Sequence, residues 1–458
     1  MTTTDITTIT TISATQLPEE LPDLDWITDP ARIDRLSQDF SWFSPVLKRQ
    51  LEGKRGDIAV RPRTEEEIRS VVAACARTGT PITVRGSGTG NYGQCTPLHG
   101  GLILDMSAYN AFCWVKGAVG RAQAGIRLAQ FDVQAKLGGH ELRWMPSTFR
   151  SATLGGLFGG GFGGVGSINY GPLAAPGNVL GVRVMSVEPE PQITELRGAD
   201  AMQLHHTYGT NGIVLELEVA LAPAAPWMEC IAVFDQFDDA LEFSNRLTRA
   251  PALVKKEVCF LAAPIPEYMT SLAEYLPGKC HAVLVVFAPE SEEGLAHLVQ
   301  AYRGHISYRK TAEEIRTSNR TLIEYTWNHT TLNALKVDKT LTYIQSGFTP
   351  ARCIEQVKAL EKALSGEVLM HLEFLRTKEG EFNCSGLQII RYTTEERLNQ
   401  IMAIYREHGV QINNPHVYVV EDGKQNALDP KILQFKQRFD PQGLLNPGKL
   451  RVWEQLKK

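Results

Sequence analysis

The stretch VLMHLEFL, residues 368–375, places two side chains capable of acid–base chemistry two positions apart. Successive side chains of a β-strand point to opposite faces, so Leu369, His371, Glu373 and Leu375 share one face. The opposite face is wholly apolar and suits a core. A carboxylate beside an imidazole can fix its tautomer and raise its pKa, which would make an oriented general base. We therefore predict catalytic roles for His371 and Glu373; the alternative interpretation is a solvated strand face.

A glycine-rich stretch, VRGSGTGNYGQ at residues 84–94, has the composition of an anion-binding loop. Its spacing Gly88-x-Gly90-x-x-Gly93 matches a dinucleotide-binding turn, but that turn requires a helix to start there. Pro97 and the glycine pair at 100–101 prevent such a helix, and no Gly-Lys-Ser/Thr follows to complete a Walker loop. The sequence predicts strand, loop and strand, with consecutive N–H groups forming an anion nest. A long surface hairpin is the alternative.

A second glycine-rich tract, LGGLFGGGFGGVG, covers residues 154–166, where eight of thirteen residues are glycine. It is preceded by MPST and followed by a stretch that alternates apolar residues as a strand does. Ordered segments on both sides argue against simple low complexity. We predict that these glycines let the backbone approach a flat ligand closely.

Composition restricts the class of protein. The chain of 458 residues is 43% hydrophobic and 21% charged, with a net charge of −4, so it can bury a core and has little basic surface for nucleic acid. Its eight cysteines are scattered without metal or disulfide spacing, which favours a reducing, cytoplasmic location. No apolar run is long enough to predict a transmembrane segment. The Thr-rich start resembles no signal peptide, and residues 1–25 are predicted to be a disordered tail.

Helix caps, residues that end helices or strands, and hydrophobic periodicity predict the secondary-structure elements that must position these residues. Thr64 caps a helix with an apolar stripe that Gly79 ends, and an alternating strand ends at Pro223. From residue 224 the pattern changes to new strands with helical stretches between them, and a last helix starts at Asp429. We predict a first domain over 26–223, a second over 224–415, and a C-terminal segment over 416–458 that completes the first domain.

Four separated stretches carry a family resemblance: VRGSGTGNYGQ, the tract MPST…GNVLGVRVM, YGTNGIVLELEVALAP and FDPQGLLNPGKL. In order and spacing they resemble the FAD-binding (PCMH-type) domain of the vanillyl-alcohol oxidase and p-cresol methylhydroxylase superfamily, and within it the branch of glycolate oxidases and D-lactate dehydrogenases. The resemblance covers most of 54–223 and 429–450. It implies an α+β fold, with a two-part FAD-binding domain and an α+β substrate (cap) domain.

The resemblance also implies a set of cofactor-binding residues. The first loop would surround the FAD pyrophosphate, the second tract would line the flavin or diphosphate, one backbone group would touch the adenine side, and two C-terminal residues would return toward the flavin. The residues of the first loop are Gly86, Ser87, Gly88, Thr89, Gly90 and Asn91, and those of the second tract are Ser147, Thr148, Thr153, Gly155 and Gly156. The backbone group on the adenine side belongs to Ile213, and the two C-terminal residues are Asn446 and Lys449.

The chain departs from the family pattern in ways that change the expected chemistry. Some relatives tether FAD through a histidine where this chain has Thr89, and no cysteine stands near 147–154, so noncovalent FAD is predicted. The branch's His-x-Gly-Asp-Gly-Asn-x-His metal motif is reduced here to His371, so no metal is expected. Its Glu-His-Gly segment retains only His416, which becomes a further catalytic candidate. Lactate or glycolate is therefore disfavoured as the substrate.

These observations predict an FAD-dependent oxidase or dehydrogenase that takes a hydride from a CH–OH group of a small organic substrate. The flavin would be reoxidised by O₂ or another acceptor, and a homodimer is possible. Two alternatives stay open: a metal-assisted D-2-hydroxy-acid dehydrogenase, and a flavin-binding protein without turnover.

Overall fold

The computed structural model describes residues 13–423 and 429–456. Residues 14–20 already form helical turns, with Ala14 and Leu17 buried, so the ordered chain begins before the predicted start at residue 26. Residues 1–12 of the predicted tail lie outside the described residues.

The first part of the chain builds a four-stranded sheet with helices packed against it. Its elements are α1 (Leu17–Glu20), β1 (Trp26–Ile27), α2 (Pro30–Leu36), α3 (Pro45–Gln50), β2 (Ile58–Val60), α4 (Glu65–Thr78), β3 (Ile82–Arg85) and β4 (Leu102–Asp105). The order is β1-β2-β4-β3, and β2, β4 and β3 run parallel. The predicted helix α4 is confirmed: Thr64 accepts a hydrogen bond from the Glu67 N–H, and Gly79 ends the helix with φ 69°. Among the described residues, no helix lies between β3 and β4. The first glycine-rich stretch is therefore not a dinucleotide-binding turn, as the sequence predicted.

A six-stranded antiparallel sheet follows. Its elements are β5 (Phe112–Lys116), β6 (Val119–Gln123), α5 (Leu128–Leu137), β7 (His140–Leu142), α6 (Leu154–Gly160), α7 (Ser167–Tyr170), β8 (Val179–Met185), β9 (Ile193–Arg197), α8 (Gly198–Ala201) and β10 (Ile213–Pro223). The strand order is β5-β6-β10-β8-β9, with β7 paired to β10. The first glycine-rich segment connects β3 to β4 of the first sheet, and the second lies between β7 and β8 of this one.

Residues 224–415, which we call the cap, form an eight-stranded antiparallel sheet and a three-stranded one. Their elements are β11 (Met228–Phe234), α9 (Phe237–Arg249), β12 (Lys255–Leu261), β13 (His281–Phe287), α10 (Glu292–Ala301), β14 (His305–Lys310), α11 (Ala312–Ser318), α12 (Asn328–Val337), β15 (Leu341–Tyr343), β16 (Gln345–Gly347), α13 (Cys353–Ala363), β17 (Val368–Leu369), β18 (His371–Arg376), β19 (Phe382–Gly386), β20 (Ile389–Arg391), α14 (Glu395–Glu407) and β21 (Gln411–Asn413). The larger sheet has the order β14-β11-β13-β12-β18-β19-β16-β21. Strand β18 alternates as predicted, because Met370, Leu372 and Phe374 lie in the cap core.

The C-terminal segment contributes α15 (Val420–Gly423), α16 (Pro430–Phe439) and α17 (Arg451–Leu456). The predicted cap of α16 is confirmed, since the Asp429 carboxylate accepts from the Lys431 N–H at 2.9 Å. After α16 the chain runs beside β3: the Ile82 N–H donates to Leu444 O, and the Asn446 N–H donates to Ile82 O. The last segment therefore lies against the strand that leads into the first glycine loop.

Candidate functional site

The first glycine loop starts where β3 ends, at Arg85. Gly88 has φ +65°, a conformation that L side chains rarely adopt, and a Cβ there would collide with the Arg85 guanidinium. A Cβ on Gly86 would collide with the Thr153 hydroxyl, so only glycine fits there too. The backbone of residues 86–91 lines a cavity of about 490 Å³. This is the location that a nest of N–H groups needs in order to hold a diphosphate.

A cation and its acceptors support the loop from behind. The Arg85 Nη1 group donates to the carbonyl oxygens of Leu36 (2.8 Å) and Gln38 (2.7 Å) and to Cys95 Sγ (3.1 Å). The guanidinium is therefore held in place beneath Gly88. A fixed positive charge at this position complements a bound anion.

Asn446 and Lys449, predicted to return toward the flavin, instead anchor the loop from outside the cavity. The Asn446 Nδ2 group donates to the carbonyls of Gln94 and Tyr208, both at 2.7 Å. Lys449 Nζ donates to Gly93 O at 2.5 Å, and burial lowers the pKa of this lysine to about 8. Neither side chain lines the cavity. Their placement joins the C-terminal segment to the loop by hydrogen bonds.

The second glycine tract contains a helix that its composition disfavours. α6 carries Gly155, Gly156, Gly159 and Gly160, and its N-cap Thr153 accepts from the Gly156 N–H at 3.2 Å. A Cβ on Gly155 would come within 2.7 Å of the Ala124 Cβ, so close packing requires glycine. Packing therefore overrides intrinsic helix propensity here.

Gly159 differs from these glycines, because a Cβ there meets no protein atom within 4 Å although the residue lines the cavity. Ser147 and Thr148 line the same cavity. Ile213 is fully buried and does not line it, whereas its neighbours Gly212 and Val214 do. A glycine-lined wall with room beside it fits a flat, phosphorylated cofactor such as FAD.

The cap closes the other side of the cavity. The described cap residues that line it are Trp327, Asn328, Gln345, Ser385, Leu387, Asn413 and Asn414. Tyr92 links the two sides, since its hydroxyl donates to Gln345 Oε1 at 2.6 Å. The cavity thus has one wall of glycine backbone and one wall of amides, a hydroxyl and apolar side chains.

His371 and Glu373 are fully buried and do not line the cavity. His371 Nδ1 faces Leu387 O at 3.1 Å and donates its hydrogen there, which leaves a lone pair on Nε2 when the imidazole is neutral. The 2.8 Å contact from Nε2 to Glu373 Oε1 then requires a proton on the carboxyl group. Burial accounts for this state, because it lowers the pKa of His371 to about 3 and raises the pKa of Glu373 to about 7. Glu373 also accepts from the Trp327 N–H at 2.5 Å.

Two further buried groups join this pair. Cys259 Sγ lies 3.6 Å from His371 Nε2, and Glu257 Oε2 accepts from Trp327 Nε1 at 3.5 Å. Burial and the neighbouring Glu373 raise the pKa of Glu257 well above its ordinary value. Ligand atoms of Cys259, His371 and Glu373 lie within 4.8 Å of one another, so these three residues could hold a metal ion. The expectation of a metal-independent protein stays a prediction.

His416 is also buried away from the cavity lining. Its Nδ1 lies 2.8 Å from the Ser44 hydroxyl, its ring packs edge-on against Tyr343, and burial lowers its pKa to about 4. Its backbone N–H donates to Asn414 Oδ1 at 3.0 Å, and Asn414 does line the cavity. The three predicted catalytic residues therefore lie behind the cavity wall and contact residues that form it.

Sequence reasoning missed most of the cap wall. Gln345 and Asn413 are cross-strand partners in β16 and β21, far apart in sequence, and no motif marks either of them. Tyr92 lies inside the first glycine stretch and could have been noticed as the aromatic residue of that loop. His205 and His206, which stand just before the YGTNG stretch, line the cavity as well.

Comparisons with known proteins agree with this geometry. The sequence model of the FAD binding domain family matches residues 56–190. An uncharacterized FAD-linked oxidoreductase of Mycobacterium tuberculosis, Rv2280, is 27% identical over 85% of this chain and 90% of its own length. Glycolate oxidase subunit GlcD of Bacillus subtilis is 24% identical over 86% of this chain and 88% of its own. D-lactate dehydrogenase of Anaerostipes hadrus is 24% identical over 91% of this chain and 93% of its own length.

A solved structure of alkyldihydroxyacetonephosphate synthase has the same fold, with a TM-score of 0.72 at 15% identity over 97% of this chain and 86% of that one. Residues 56–190 are thus an FAD-binding domain, and the predicted α+β fold of PCMH type is confirmed. FAD is the cofactor, and the loops described above are the residues that would hold it. Within residues 13–423 and 429–456, no helix has the length and apolar character to cross a membrane.

Proposed function

We propose that this FAD-linked oxidoreductase oxidises a CH–OH group of a small organic substrate held between the glycine-lined wall and the cap. The observation that carries the proposal is the shared cavity, to which the loop at 86–91 and the cap strands both contribute. When bound, FAD supplies the hydride acceptor. The chain's own residues hold the cofactor by backbone N–H groups and orient the substrate from the cap side.

The buried cluster behind the wall has a positioning role in this proposal. Glu373 holds the Trp327 backbone and His371 holds Leu387 O, and both of those partners face the cavity. A side chain that does not reach the cavity surface cannot take the substrate's proton directly. His371, Glu373 and His416 would therefore act by fixing the shape of the cap wall.

The direct test is an anaerobic screen of alcohols and hydroxy acids that follows flavin absorbance. Bleaching of the oxidised flavin by at least one compound is expected. A protein that binds FAD yet is reduced by no alcohol or hydroxy acid would instead support the hypothesis of a flavin-binding protein without turnover. The same screen, repeated in air and with artificial dyes, identifies whether O₂ or another acceptor reoxidises the flavin.

A metal-assisted D-2-hydroxy-acid dehydrogenase is the second candidate, because Cys259, His371 and Glu373 converge. Dialysis against a chelator distinguishes the two. Unchanged turnover favours the first proposal, and loss that Zn²⁺ or Mn²⁺ restores favours the second.

We also propose a cytoplasmic location, which the eight free, unpaired cysteines support. A homodimer stays a proposal that sedimentation or light scattering can test.

A further inference from the structure

The charge of the cap wall bears on the kind of substrate it can accept. Among the described residues that line the cavity, the seven from the cap are Trp327, Asn328, Gln345, Ser385, Leu387, Asn413 and Asn414, and none carries an ionisable side chain. Arg85, the cation among the lining residues, belongs to the opposite wall. Its Nη1 is held by two carbonyls and a sulfur beneath the glycine loop. The cap therefore presents no positive charge to a substrate.

Immediately behind this wall stand two buried carboxyl groups. Glu373 accepts from the Trp327 N–H, and Glu257 faces the indole of the same tryptophan. Among the described residues, the groups that act on these two carboxyls are each other, His371, Trp327, Cys259 and the local backbone, with no lysine or arginine among them. A substrate carboxylate placed against Trp327 would lose water without gaining a cation.

The amides of the wall suit uncharged polar groups. Gln345 and Asn413 stand opposite each other on neighbouring strands, and the Asn328 Oδ1 atom is buried without a hydrogen-bond partner in the protein. A carboxamide offers both a donor and an acceptor, so it can bind a hydroxyl or a carbonyl oxygen of a neutral molecule. Phe162 and Trp327, with ring centroids 6.3 Å apart, add an apolar surface across the two walls.

We propose that the substrate is an electrically neutral hydroxy compound, such as an alcohol, hydroxyamide or polyol, rather than a 2-hydroxy carboxylate. This inference rests on the proposed oxidation of a CH–OH group. In that reaction the substrate loses a hydride from carbon to the flavin and the hydroxyl proton to water or a lining group. It becomes the aldehyde or ketone, and FAD, when bound, would supply the two-electron acceptor, with O₂ or another acceptor as the final oxidant.

The experiment compares acid and amide pairs that share a carbon skeleton: glycolate with glycolamide, lactate with lactamide, and mandelate with mandelamide. The holoprotein is titrated without oxygen, and the perturbation and bleaching of the flavin spectrum are recorded. The amide of a pair is expected to bind at least tenfold more tightly than the acid. Tighter binding of any acid than of its amide would overturn the proposal.

Sulfite, an anion that adds to oxidised flavins, reports the charge of the site even if no pair binds. Wild-type protein is expected to require millimolar sulfite, and Asn413→Lys at least tenfold less, while the neutral control Asn413→Leu stays within a factor of three of wild type. Micromolar sulfite affinity in the wild type would overturn the proposal. Failure of every alcohol to reduce the flavin would refute the oxidation itself, and the sulfite titration would still decide the charge of the wall.

Discussion

Gly159 offers a sharp test of whether the cavity holds FAD. A Cβ at this position meets no protein atom within 4 Å, and the residue lines the cavity near the end of α6. Gly159→Ala should therefore place a methyl group in space that the cofactor uses while leaving the packing of the protein intact. The substitution is expected to keep or raise the stability of the apoprotein and to lower its affinity for FAD.

The magnitudes follow from helix propensity and from overpacking. Alanine is favoured over glycine in a helix by about 1 kcal/mol, so the FAD-free variant should be as stable as wild type or more stable. Forcing an extra methyl group into a filled site costs roughly 1–3 kcal/mol, which corresponds to about a 5- to 150-fold loss of FAD affinity. Gly159→Leu should lose more affinity than Gly159→Ala.

The assay is a fluorescence titration of the apoprotein with FAD, combined with thermal unfolding with and without FAD. Gly278→Ala is the matched control, because a Cβ there also meets nothing within 4 Å but the residue does not line the cavity. Wild-type FAD affinity in both Gly159 variants would refute the placement of FAD in this cavity. A large loss of apoprotein stability would refute the claim that the space is open.

Four further predictions follow from the same geometry. Gly88→Val should abolish FAD binding, since it needs φ +65° and collides with Arg85, and retention of wild-type affinity would contradict the nest. With Thr89 in the position where relatives carry a tethering histidine, acid precipitation should release the yellow colour into the supernatant; colour in the pellet would indicate a covalent bond. Burial lowers the pKa of Lys449 to about 8, so between pH 8 and the ordinary lysine pKa the unfolded state binds more protons than the folded state. The free energy of unfolding therefore rises with pH over this range and falls again as the pH returns to 8. In the FAD-free protein, the unfolding free energy of wild type relative to Lys449→Met should therefore rise by about 2 kcal/mol from pH 8 to 9.5, and a flat difference in chemical denaturation would count against it. The raised pKa of Glu373 has the opposite sign: its stabilising neutral form is lost as pH rises through about 7, so Glu373→Gln should gain stability relative to wild type between pH 5 and 7.5. In stopped flow, flavin reduction in Glu373→Gln should stay within a few-fold of wild type, whereas loss of a true base would slow it by about 10² to 10⁴.

Local sequence determined the cofactor-binding half of the protein. A Cβ on Gly88 would collide with Arg85 and one on Gly156 would collide with Thr153, three residues away in each case, and the Thr64 and Asp429 caps act within three residues of their helices. Such requirements are short in range, so they leave a readable pattern of residue types. This is why four motifs were sufficient to predict an FAD-binding fold.

Tertiary structure decided the remainder. Strand alternation correctly placed His371 and Glu373 on one face, yet periodicity cannot say whether that face meets a cavity or a second layer of protein, and here α12 covers it. The glycines of α6 form a helix because Thr153 and the neighbouring sheet hold them, against their propensity. The amide wall joins residues from Asn328 to Asn414, in different cap elements, through strand pairing. Contacts between residues so far apart in sequence arise from the packing of the sheets, and no residue spacing in the sequence predicts them.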